Sequence, residues 1–147
     1  MANTIDQSDI DKAEAREKFA DVSSTTLTPA RIVVMCFERI DRDLRMAESA
    51  ISRGAGADAH QYVGHAQEII SHLLEGIVVS DWEGAEKLSL IYTWSFGELL
   101  SASVRLDSSR ISTVRTLLDT IGGAFTQAAA AVAVAADTNG VTLAAKA

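Results

Sequence analysis

Apolar residues recur along most of this chain at alternating spacings of four and three, the period that returns side chains to one face of an α-helix. The first stripe is Val33, Phe37, Ile40, Leu44, Ala47 and Ile51. It opens after Thr28-Pro29, where threonine can accept a free backbone N–H and proline loses no donor the helix needs. Gly54-Ala55-Gly56 closes it. A second helix should begin near Asp58, with Tyr62, Ala66, Ile69, Leu73 and Ile77 on its face, widened by Val63, Ile70 and Leu74. After a break at Ser80-Asp81, with Asp81 as N-cap, a third carries Ala85, Leu88, Tyr92, Leu99, Ala102 and Leu106. Asp107 or a neighbouring serine caps a fourth, with Ile111, Val114, Leu118, Ile121, Phe125, Ala128 and Val132.

The two ends read differently. Residues 1–28 are polar and mixed in charge and finish in a Ser/Thr-rich run, the composition of a mobile arm and linker. Residues 137–147, from Asp137-Thr138-Asn139-Gly140 onward, read as a frayed tail. Between them, long amphipathic helices with short connections predict an all-α fold, an antiparallel up-and-down four-helix bundle over residues 29–136.

Composition narrows this further. The 147 residues suit one domain; aromatics at 5% and a single proline argue against a turn-rich β fold. A net charge of −7 makes nucleic acid a poor partner, because phosphate binding needs a basic patch. The one cysteine, Cys36, allows no internal disulfide and no cysteine zinc site; between Met35 and Phe37 it reads as an inert core thiol. Asp6, Asp9 and Asp11 do not suit a signal peptide, and no apolar run approaches the roughly 20 residues that span a bilayer. A soluble, cytoplasmic protein without membrane insertion is expected, as a monomer or weak homodimer.

Candidate chemistry is sparse. His65, Glu68 and His72 share a helix face, yet a dinuclear site would need Glu-x-x-His pairs on further helices, and no other helix has histidine. A polar outer face explains His60, His65 and His72, so no metal or cofactor is expected. His72-Leu73-Leu74-Glu75-Gly76 is similar to the His-x-Leu-Lys-Gly motif of histidine-phosphotransfer bundles, the alternative reading. Glu75 stands where that motif has lysine and would repel a phosphoryl group. There is no phosphate loop or nucleophile elbow, and the chain is expected not to be an enzyme. What stands out is surplus apolar surface: Val63, Ile70, Leu74 and Val78 on the second helix, and Leu90, Ile91, Trp94 and Phe96 on the third. A groove between those helices, lined by Ile70, Leu74, Ile77, Leu90 and Trp94, would accept an amphipathic segment of another protein.

Over roughly residues 19–130 the chain resembles the flagellar secretion chaperone FliS family. Phe19 stands ten residues before Pro29, followed by Ile32-Val33-Val34-Met35-Cys36-Phe37. The second helix carries His65-Ala66-Gln67-Glu68-Ile69-Ile70-Ser71-His72-Leu73, the third Lys87-Leu88-Ser89-Leu90-Ile91-Tyr92-Thr93-Trp94 then Leu99 and Ala102, the fourth Thr113-Val114-Arg115-Thr116-Leu117-Leu118. Departures include Phe19 for a tyrosine, Arg31 for an acidic residue, Phe125 for a tryptophan, and the helix-weakening pair Gly122-Gly123. The resemblance implies a cytoplasmic, non-enzymatic chaperone. It would bind the disordered C-terminal segment of flagellin, prevent premature polymerisation and deliver the subunit to the flagellar export apparatus. It also implies that the N-terminal arm folds back over the groove when no client is present, with Phe19 as the plug.

Overall fold

The computed structural model describes residues 10–12, 27–78 and 82–145. Phe19, Ser80 and Asp81 lie outside them. Among the described residues all regular structure is helical: residues 10–12, then α1 (Pro29–Ser52), α2 (Gly56–Val78), α3 (Ala85–Arg105) and α4 (Ser108–Ala145). Both α1 and α3 pack against α2 and α4, so the four helices close a ring around a shared core.

The helix ends follow local chemistry. The Thr28 hydroxyl accepts the Arg31 N–H at 3.2 Å with Pro29 in the first turn, as the sequence predicts. Asp107 caps α4, accepting the N–H groups of Ser109 at 3.0 Å and Arg110 at 3.3 Å. At the start of α3 the N-cap is Gly84, which offers no side chain. Its value is space: a Cβ there would come within 2.6 Å of the Trp82 ring, which folds against it. Leu106 is not part of the α3 stripe. It closes the helix in the left-handed conformation, φ 51°, and stays 39% exposed.

The core joins Phe37, Ile40, Leu44 and Ala47 of α1 to Val63, Ala66 and Ile70 of α2, with Leu88, Tyr92 and Leu99 of α3 and Ile111, Val114 and Leu118 of α4. Each such large side chain contributes about 1.5–3 kcal/mol by leaving water. On α2 the centre of the face is rotated from the expected stripe. Val63 and Ile70 are fully buried, whereas Tyr62, Ile69, Leu73 and Ile77 are only half-buried. The apolar band of α2 is wide enough that spacing alone does not show which edge faces inward.

Gly122 has a packing reason. A Cβ there would stand 2.9 Å from the Phe37 Cβ, so glycine is what lets α4 approach α1 this closely. Nothing lies within 4 Å of the corresponding position at Gly123.

The expected frayed tail does not begin at Asp137: α4 continues through Asp137, Thr138, Asn139 and Gly140 to Ala145. Alanine is the best helix former, and the Thr138 hydroxyl donates to the Val134 carbonyl at 2.9 Å rather than opening a turn. The resulting stretch Ser108–Gly140 also corrects the expectation about apolar runs. It contains a window of mean hydropathy 1.4, long and apolar enough to cross a membrane by length and composition, of which 11% is buried. The first half of α4 is committed to protein. Ile111 and Val114 are fully buried there, Arg110 pairs with Glu98 of α3 at 2.7 Å, and Arg115 pairs with Glu48 of α1 at 2.9 Å.

Candidate functional site

The main apolar opening lies where the start of α1, the end of α2, the connection before α3 and the middle of α4 meet. It is a cavity of about 410 Å³. Ile32, Val33 and Cys36 come from α1, one helical turn apart, because the Ile32–Phe37 run is apolar beyond the stripe that the core requires. Leu73 and Ile77 come from α2, Leu88 and Tyr92 from α3, and Phe125 from α4. Trp82 stands at the rim with 57% of its surface exposed, held over Gly84. Below, Phe37 links the wall to the core, its ring stacked on Phe125 at 5.5 Å and tilted against Tyr92 at 6.2 Å.

Burial sets the electrostatics of this cavity. It raises the pKa of the Cys36 thiol and, more strongly, that of the Tyr92 hydroxyl, so both groups stay neutral at physiological pH. Cys36 is half-buried in the groove wall, not a core thiol. Apart from His72 of α2, which also lines the cavity, the wall is made of aliphatic and aromatic groups and the neutral Cys36 thiol, and it suits an apolar side chain.

The five residues expected to line a groove between α2 and α3 fall in different places. Ile77 lines the cavity, and Leu74 is half-buried beside it on α2. Ile70 is fully buried, so it supports the wall from inside. Leu90 and Trp94 are 66% and 46% exposed and turn away from α2. The α2–α3 seam is marked by Gln67, which donates to the Phe96 carbonyl at 3.1 Å, and by the His60–Ser103 pair at 2.7 Å. Trp94 is one turn before Glu98, whose carboxylate meets Arg110 of α4. Leu90 and Trp94 therefore sit towards the outer α3–α4 side. With Leu100 at 54% and Val104 at 75% they give α3 a second apolar surface, opposite the one it buries.

Spacing did not reveal Trp82 or Phe125 as groove residues. Trp82 lies between helices, where periodicity carries no signal, and Phe125 reads as one more core position.

The histidines do not form one polar face. His65 Nδ1 meets the carboxylate of Asp43, a residue 3% exposed on α1 that also pairs with Arg39 at 3.4 Å. His60 joins Ser103, and exposed His72 has Glu75 at 3.6 Å. That carboxylate stands where the phosphotransfer motif places its cation. Among the described residues no three His, Cys, Asp or Glu side chains converge as a metal site would need.

Residues 12–132 match the family described as flagellar protein FliS. The chain belongs to the FliS family. The match takes in the bundle, the groove and Trp94, and stops before the last turns of α4. FliS proteins are not a family of enzymes, in keeping with a site that presents apolar walls. No curated protein matches the chain.

Proposed function

We propose that this FliS-family protein is a cytoplasmic flagellar export chaperone built as an antiparallel up-and-down bundle. It binds the disordered C-terminal segment of flagellin, keeps the subunit from polymerising prematurely and hands it to the flagellar export apparatus. The groove rimmed by Trp82 is the observation that carries this reading. A segment that folds on binding must bury enough apolar surface to offset its ordering cost. An open apolar groove with an exposed indole at its edge provides such a surface.

In this reading Ile77 and Leu74 contact the client at the groove, Ile70 backs them, and Leu90 and Trp94 hold a further part of the same client on the outer side of α3. Phe19 competes for the groove when the client is absent. Co-expression with flagellin from the same source should give a complex that co-purifies. Trp82→Ala should weaken binding of a flagellin C-terminal peptide about thirtyfold, the effect of losing roughly 2 kcal/mol at a buried aromatic anchor, with the helical signal unchanged. Failure of flagellin to co-purify, or unaltered affinity in both Trp82→Ala and Ile77→Asp, would overturn the reading.

A further inference from the structure

Gly76 lies inside α2 at a position where the fold asks nothing of a glycine. Its backbone is ordinary helix, not the left-handed conformation that Gly54 adopts. A Cβ there would meet nothing within 4 Å among the described residues. Glycine is a weaker helix former than any residue but proline, so a helix-interior glycine needs a compensating use. At Gly122 the use is packing, because Phe37 takes the space of a Cβ. No neighbour does so at Gly76. Gly64, Gly97, Gly123 and Gly140 are equally open, but of these five only Gly76 lines the apolar cavity.

Its surroundings there have the form of a seat. His72 stands one turn earlier on α2, and Leu73 and Ile77 are each one residue further round; all three line the cavity with Gly76. Beside them the α2 wall drops to bare backbone. Ile32 and Val33 of α1 and the Trp82 ring line the same cavity. Such walls disfavour a charged occupant, which would lose its water without gaining a partner. They also disfavour a small one, since unfilled space forfeits the contacts its lining could make. His72 and Gly76 belong to the run that is similar to the phosphotransfer motif. With Glu75 at 3.6 Å from the imidazole and apolar walls around it, the pair faces a place for a side chain, not for a phosphoryl group.

We propose that Gly76 is a specificity-determining residue of the groove: it seats one bulky apolar side chain of the client, leucine-sized or larger, against the backbone of α2 beside His72, Leu73 and Ile77. This deepens the client-groove reading and rests on it.

The test exchanges bulk between the two partners, using the full chain and calorimetric titration. The probes are a synthetic flagellin C-terminal peptide and a set in which each of its bulky apolar residues in turn is alanine. Gly76→Leu should weaken binding of the parent peptide about tenfold or more, the effect of overpacking a filled site. One alanine peptide, and not the others, should recover most of that loss. Gly76→Ala should fall between the wild type and Gly76→Leu. Urea midpoints of both variants should equal or exceed that of the wild type, because better helix propensity meets no clash. Gly123→Leu, equally open but outside the cavity, should bind as the wild type does. A lowered midpoint in Gly76→Ala would overturn the proposal by showing that the glycine serves the fold. Full affinity in Gly76→Leu while Ile77→Asp has lost binding would also overturn it, leaving the groove without this seat. If Gly76→Leu weakens every peptide alike, the glycine admits client backbone rather than a side chain and the proposal fails. Unaltered binding in both Gly76→Leu and Ile77→Asp would remove the groove reading and the proposal together.

Discussion

At the scale of single residues, neighbouring positions of similar composition have opposite roles. Gly122→Ala gains helix propensity of about 1 kcal/mol but drives a methyl into Phe37, and overpacking of this kind costs about 1–3 kcal/mol. Gly123→Ala gains the propensity into open space. Urea unfolding should show the first variant destabilised and the second stabilised by up to about 1 kcal/mol. Ser95 is fully buried and its hydroxyl has no hydrogen-bond partner among the described residues. Ser95→Ala should therefore be neutral or stabilising by about 1 kcal/mol, since it removes an unpaired polar group from the core. A clear loss of stability in the same assay would show that the hydroxyl is satisfied.

At the scale of elements, α3 separates core from surface by angle alone. Leu88, Tyr92 and Leu99 are buried while Leu90, Trp94 and Leu100 face outward on the same helix. Trp94→Ala should leave the melting transition nearly unchanged, because the indole is about half in water already. Ile70→Ala on α2 should cost about 2–5 kcal/mol, the usual range for emptying a fully buried aliphatic site. Thermal melts of the pair decide the matter. Equal losses would mean that Trp94 packs into the core.

At the scale of the whole molecule, the buried Tyr92 hydroxyl ties folding to alkaline pH. Its pKa is raised by burial from an ordinary value of 10.0, so the unfolded chain releases this proton first. The stability it contributes is complete below about pH 10 and is lost as pH climbs towards the folded-state value. Denaturant midpoints should fall between pH 9 and pH 11, and Tyr92→Phe should flatten that fall. If the two curves run parallel, Tyr92 is not the group responsible.

How much of this was legible beforehand depends on the range of the interaction. Thr28-Pro29 and Asp107 announced their helix starts because capping is settled within three or four residues. The stripes gave four helices because burial needs one apolar face on each. The surplus apolar residues of α2 and α3 predict an apolar groove, and of the five residues expected to line it Ile77 lines the cavity. Its composition was not foreseen. Trp82 and Phe125 enter the groove only because the ends of α1, α2 and α3 meet at the middle of α4. The pairing of buried Asp43 with His65 and the Gly122–Phe37 approach likewise join positions far apart in the chain. The continuation of α4 to Ala145 defeated a turn signal in Asp137-Thr138-Asn139-Gly140, since alanine propensity on both sides prevailed. Local hydrogen bonding and periodicity thus determined the elements and their apolar faces. Which apolar residues are covered, and by what, was decided by the relative lengths and angles of the packed helices, which one-dimensional spacing does not contain.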